Sequence, residues 1–304
     1  MSAVLVEDGP DKGAIWHFGQ PSHEQRALYE GRAWADLSHR SVIIVTGEDR
    51  QLWLNNLTTQ ELVKWESNIW TTALILDAQG HIQHQLFLFD DGTRTWIHTE
   101  RVSEEALIAF LKKMVFMLRV DPQVVTDRYA VLRVPGAPDG LGGPYEIVER
   151  GSYENRFAEF TQVGMWALEA ERVADGRARL NFETDYKSIP NELGLLGSAV
   201  HMRKGCYPGQ ETVAKVFNLG QPPRRIVMLH LDGSDSDLPP HGAKVLLEEK
   251  EVGFLGTSAR HYELGPIALA VVKRNTPVDA TLTVDGVAAN QEIISRPDSP
   301  SRSA

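Results

Sequence analysis

Apolar and polar positions change period several times along this chain, and the changes outline its elements. Residues 41–47 are β-branched and close on Gly47, which predicts a buried strand. Apolar positions 52, 53, 54 and 57 predict a short helix from Asp49 to Leu57. Residues 69–76, 82–89 and 94–98 read as three strands of a meander, joined by Asp77-Ala78-Gln79-Gly80 and Asp90-Asp91-Gly92. Ser103, with Glu104 and Glu105 behind it, marks a helix start; residues 106–118 keep helical spacing and place Lys112-Lys113 late in the run. Residues 124–134 predict another strand, 135–144 a Pro/Gly-rich loop and 159–171 a helix. An irregular stretch with Asp175-Gly176 and Ile189-Pro190-Asn191 follows.

After Pro222-Pro223 the texture changes. Short strands at 225–231, 243–247, 251–257, 267–272 and 281–284 alternate with turn residues, the signature of a small β-barrel, which puts a domain boundary near 220. The last ten residues are rich in Ser and Pro and predict a disordered tail. The N-terminus lacks the basic segment of a signal peptide. No stretch approaches the ~20 apolar residues of a membrane span.

Composition narrows the function classes. A chain of 304 residues with 24% charged residues suits a folded protein of two or three domains. A net charge of -10 argues against direct nucleic-acid binding, which wants a basic face. The single cysteine, Cys206, excludes an intrachain disulfide and fits a reducing cytoplasm. Alone it cannot complete a cysteine-ligated cluster or zinc site, so no resident metal is expected.

That cysteine sits in Lys204-Gly205-Cys206-Tyr207-Pro208-Gly209-Gln210-Glu211. A neighbouring ammonium and the N–H groups opening a helix would favour a thiolate, which makes Cys206 a candidate nucleophile or soft-metal ligand beside Lys204. A small buried hydrophobe is the alternative. Tyr207 and Gln210 offer an aromatic face and an amide fork to a flat heteroaromatic ligand, or ordinary packing. Other constellations carry less. His81 and His84, three apart on a strand, point to opposite faces and cannot share a metal, whereas His84 shares its face with Ile82, Leu86 and Leu88. Gly140-Leu141-Gly142-Gly143-Pro144 lacks the features of a phosphate loop, and Ser198 with His201 does not form a nucleophile elbow.

The cysteine segment resembles the signature of the YgfZ-type folate-binding proteins, relatives of the glycine-cleavage T-protein linked to iron–sulfur enzyme maintenance. The likeness extends over nearly the whole chain. Asp36-Leu37-Ser38-His39-Arg40, Leu54-Asn55-Asn56-Leu57-Thr58-Thr59, Leu76-Asp77-Ala78-Gln79-Gly80, Leu168-Glu169-Ala170-Glu171-Arg172-Val173 and Val252-Gly253-Phe254-Leu255-Gly256-Thr257-Ser258 follow one another as in that family. The resemblance implies an α+β, three-domain cloverleaf: two mixed antiparallel-sheet/helix domains plus a C-terminal small β-barrel. Residues 1–47 and 124–218 would form the folate-binding domain, 48–123 an inserted α+β domain, 219–292 the barrel and 293–304 the tail.

It also implies tetrahydrofolate as cofactor, iron–sulfur client proteins or cluster carriers as partners, and a cytoplasmic protein with no membrane association. Cys206 and Lys204 would carry the chemistry, Tyr207, Gln210 and Glu211 would shape the pocket, and Asp77, His84 and Arg172 would line the folate channel. Two positions depart from the T-protein pattern: His84 stands where its general-acid aspartate belongs, and Gly142 where a glutamate grips the pterin. Support of iron–sulfur enzyme assembly or repair is therefore the first expectation. A folate-dependent aminomethyltransferase or demethylase is the second, and a non-catalytic folate sensor affecting tRNA modification the third.

Overall fold

The computed structural model describes residues 3–153, 155–233 and 237–294; most of the expected tail therefore lies outside the described residues. The chain divides into two compact units. The first holds the chain up to Leu76, Gln83–Leu168 and Ser198–Pro208; the second holds Asp77–Ile82, Glu169–Gly197 and the chain from Gly209 onward.

The meander becomes a five-stranded sheet in the order Thr71–Leu76, Ile82–Asp90, Arg94–Thr99, Ser41–Thr46, Asp121–Val124. Period-two alternation decides which side chains enter the core. Leu86, Leu88, Ile97, Ile43 and Val45 pack against Trp53, Leu54 and Leu57 of the helix Arg50–Leu57 and against Leu107 and Leu111 of the helix Glu104–Lys113. Val42, Ile44 and Trp96 pack with Leu37, Val131, Tyr145 and Ile147. Several of these come from a four-stranded sheet in the order Tyr145–Glu149, Tyr129–Arg133, Ala33–Asp36, Thr161–Gln162.

Two expected elements differ. The strand expected over 124–134 is two strands in different sheets, Asp121–Val124 and Tyr129–Arg133, because Arg128 N and Tyr129 N both turn back to Val125 O. The helix expected over 159–171 begins later, at Met165–Ala174: Thr161–Gln162 instead pairs in parallel with Ala33 and Trp34, and tertiary pairing overrides local spacing.

In the second unit the predicted barrel closes. Its strands run Arg224–Leu231, Gly265–Lys273, Lys250–His261, Lys244–Leu247, Leu282–Val284, Val287–Ile293, and the last pairs back onto the first. Val227, Leu229, Leu255, Ala268, Ala270 and Val284 fill the interior. The register slips between Leu255 and Ser258, a bulge that re-aims Thr257. The mixed α+β class and the C-terminal barrel thus stand as expected. Among the described residues no helix is long and apolar enough to cross a membrane.

Candidate functional site

Of the eight residues singled out in the sequence, His84, Lys204, Cys206 and Tyr207 belong to the first unit, and Asp77, Arg172, Gln210 and Glu211 to the second. In the first unit, residues 198–204 run beside residues 58–60. His201 N donates to Thr59 O at 2.9 Å, Thr59 Oγ1 to Ala199 O at 2.6 Å and Gln60 Nε2 to Ser198 O at 3.0 Å. Lys204 ends this run, buried, with Nζ donating to the carbonyls of Asn55, Thr58 and Gln60. Burial pulls its pKa down to about 8. The Tyr207 ring centroid lies 5.3 Å from Nζ, and burial pushes the phenol up to about 12, so the ring stays neutral. Between them Cys206 is exposed, and nothing lies within 4 Å of where a Gly205 side chain would begin.

His84 is buried on the side of Leu86 and Leu88, as alternation predicts, and its Nδ1 has no hydrogen-bond partner. Burial brings its pKa down to about 4, so it is a neutral imidazole near pH 7.

A second feature of this unit escaped the sequence reading. A cavity of about 280 Å³ is lined by Trp70, Phe89, Asp91, Trp96, Tyr145, Glu146 and Ile147. Two of its walls, Tyr145 and Trp70, lie 4.7 and 5.4 Å from the imidazole of His98, which is fully buried and has no hydrogen-bond partner at either ring nitrogen. Burial, aided by the Arg40 charge, holds His98 well below the ordinary histidine pKa. Burial alone would raise the Asp91 carboxyl, yet hydrogen bonds from Thr93, Trp96 and Arg94 outweigh it and hold it at about 2. Glu146 accepts from Arg156 at 2.6 Å. Aromatic walls with anionic oxygens at the edge suit a flat, donor-rich ring. The only trace of this in the sequence is four aromatics on separate stretches of the chain.

In the second unit Asp77 works locally. Its carboxylate accepts from Gln79 N, His81 N and His81 Nδ1 at 2.8–2.9 Å, closing the turn before Ile82. His81 pairs with Asp77 at this turn, and His84 belongs to the first unit, where it is buried. Arg172 is enclosed: it donates to Glu169, to Glu183 at 2.8 Å, to Arg177 O at 2.7 Å and to Thr257 Oγ1 at 2.5 Å. Gln210 and Glu211 open the helix Gln210–Leu219 behind Gly209, with Gln210 half-buried and Glu211 exposed in the first turn, where the helix dipole favours an anion. Among the described residues no group of three His, Cys, Asp or Glu side chains is placed to hold a metal ion.

No family model matches the chain. It is 24% identical over 245 residues to the tRNA-modifying protein YgfZ of Vibrio atlanticus, covering 71% of this chain and 75% of the relative. It is 26% identical over 248 residues to a mitochondrial homologue of the iron–sulfur cluster assembly factor IBA57 from Mycosarcoma maydis, covering 70% of this chain and 61% of the relative. The crystal structure of the glycine cleavage system aminomethyltransferase T from Bartonella henselae superposes with a TM-score of 0.80 over 96% of this chain and 93% of its own, at 14% identity. That likeness shows the fold alone: the chain has the fold of the aminomethyltransferase T, and its sequence is similar to YgfZ and IBA57 proteins.

Proposed function

We propose that this protein binds a reduced folate and supports the assembly or repair of iron–sulfur enzymes in the cytoplasm, with Cys206 as its working thiol. The observation that carries the folate half is the aromatic cavity of the first unit. About 280 Å³ is at the small end of ligand pockets, enough for a bicyclic head but not for a whole folate. Trp70, Trp96, Phe89 and Tyr145 would stack on a pterin. The pterin 2-amino and N3–H groups are donors, and Asp91 and Glu146 supply acceptors for them. The residues present therefore fit the group. A bound folate would supply a one-carbon carrier; the chain's own part is to hold the ring and exclude water.

The iron–sulfur half rests on the names of the relatives and on the exposure of Cys206. A thiol reachable from solvent can meet a cluster or an electrophile brought by a partner. Within the second unit, Asp77 holds its turn, Arg172 its ion network, and Gln210 and Glu211 the start of their helix.

Titration with 5-formyltetrahydrofolate, followed by tryptophan fluorescence, tests the reading. Saturable quenching that Trp70→Leu and Trp96→Leu both weaken at least about tenfold, with the fold retained, is expected. Quenching unaffected by either change, or none in the unmodified protein, overturns the folate assignment. Loss of iron–sulfur enzyme activity in cells carrying Cys206→Ala is the matching expectation for the thiol; full activity overturns it.

A further inference from the structure

Three observations on the Lys204 segment bear on how the thiol is presented. An ammonium has three N–H donors and no acceptor. All three donors of Lys204 meet backbone carbonyls, those of Asn55, Thr58 and Gln60, within 3.0 Å. Asn55 lies in the last turn of the helix Arg50–Leu57 and Thr58 is its C-cap. The last carbonyls of a helix have no partner within it and carry the negative end of its dipole, so a cation there satisfies both needs at once. Leu54 O is already met by Thr58 N and Thr58 Oγ1, and Lys204 takes the carbonyl that follows.

The second observation is where the pairing stops. Residues 198–204 are bonded along residues 58–60 through Ser198, Ala199, His201 and finally Lys204. Beyond that last bond, Gly205 faces open space and Cys206 is exposed. The third is that the Tyr207 ring comes back to within 5.3 Å of the same ammonium. Residues 204 and 207 thus converge on one buried charge, and the two residues between them bulge outward.

We propose that Lys204 is a positioning residue: it caps the carbonyl end of the helix Arg50–Leu57 in trans and, with Tyr207, clamps the base of the loop that presents Cys206. Its charge is committed to the three carbonyls and the ring. This deepens the site proposed above and rests on the reading of Cys206 as the working thiol.

Lys204→Met, which keeps most of the side-chain length and removes every donor, separates the two roles; Lys204→Arg restores donors and charge. Two readouts are taken on the full chain: backbone hydrogen exchange by residue, and the pH profile of Cys206 alkylation by iodoacetamide. Expected for Lys204→Met is at least about tenfold faster exchange at the His201 amide, with barrel amides and the midpoint of the alkylation profile unchanged. Lys204→Arg recovers the protection. A midpoint raised by about one pH unit in Lys204→Met and restored in Lys204→Arg overturns the proposal in favour of charge activation. Unchanged exchange overturns it as well. Should Lys204→Met fail to fold, Tyr207→Leu takes its place, with partial loss of the same protection expected and none overturning the clamp. Neither readout involves folate, so a failure here is distinct from a failure of folate binding.

Discussion

The imidazole of His98 lies flat on the Phe87 ring, centroids 4.6 Å apart and planes 2° from parallel. Cross-strand pairing puts them there, since Phe87 and His98 are register partners in the five-stranded sheet. A ring so placed is sandwiched as a neutral aromatic, and protonating it would bury a charge beside Arg40. His84, buried on the side of Leu86 and Leu88, is held neutral by burial alone.

These two histidines set an acid limit on stability. Both have folded pKa values below the unfolded value of about 6.5, so the unfolded chain takes up protons first as pH falls. Their contribution is whole above pH ~6.5 and is lost progressively on the way down; for His84 the window closes at about 4. That drop corresponds to roughly 3 kcal/mol for His84. Urea melts at pH 7, 5.5 and 4.5 should show the loss, and His84→Leu should make the loss over that range smaller by up to about 3 kcal/mol. An unchanged slope in His84→Leu would refute the assignment.

The ion network of the second unit gives another prediction. Arg172 and Arg179 are matched by Glu169 and Glu183, all buried, with Glu183 fully so. The barrel bulge is shaped around it: a side chain at Gly256 would begin 2.4 Å from Glu183 Oε1, and Thr257 Oγ1 donates to that same oxygen at 2.8 Å. Removing one carboxylate leaves a buried guanidinium uncompensated, which costs about 3–5 kcal/mol. Glu183→Gln should lower the urea midpoint accordingly, and Gly256→Ala should do so by steric conflict without changing any charge. A midpoint within error of the unmodified protein for Glu183→Gln would show that the network does not act as a unit.

What could be read from the chain follows from how local each signal is. The meander and the barrel were legible because period, turn residues and glycines lie within a few residues of one another, whereas the sequence left open whether Cys206 is exposed or buried. The partners of Lys204 were not: the carbonyls it meets lie 144 to 149 residues away in sequence. The aromatic cavity was hidden for the same reason, since Trp70, Phe89, Trp96 and Tyr145 come to it from separate stretches of the chain. Thr161 and Gln162 looked helical until their parallel pairing with Ala33 and Trp34 took them. Arg172 and Asp77 illustrate another limit. The family resemblance assigned both to a folate channel, and the local partners that engage the acceptors of Asp77 and the donors of Arg172 had no signal in the sequence.

The two glycines flanking Cys206 should respond in opposite ways to the same change. Gly209 adopts φ +77°, and a side chain there would begin 2.6 Å from Asp77 O and 2.7 Å from Gly80 Cα. Gly80, at φ +87°, is equally confined, with the Thr212 Cβ 2.9 Å from its would-be side chain. The turn that Asp77 closes and the start of the helix Gln210–Leu219 therefore meet glycine to glycine, where no other residue fits. Gly209→Ala combines left-handed strain of about 1–3 kcal/mol with a backbone collision, so it should lower the urea midpoint clearly. Gly205 has a non-positive φ and open space around it. Gly205→Ala should leave stability unchanged or raise it by up to about 1 kcal/mol, by restricting the unfolded chain. Equal destabilisation by the two substitutions would mean that the loop around Cys206 is packed rather than presented. A tolerated Gly209→Ala would mean that the turn and the helix start do not need each other.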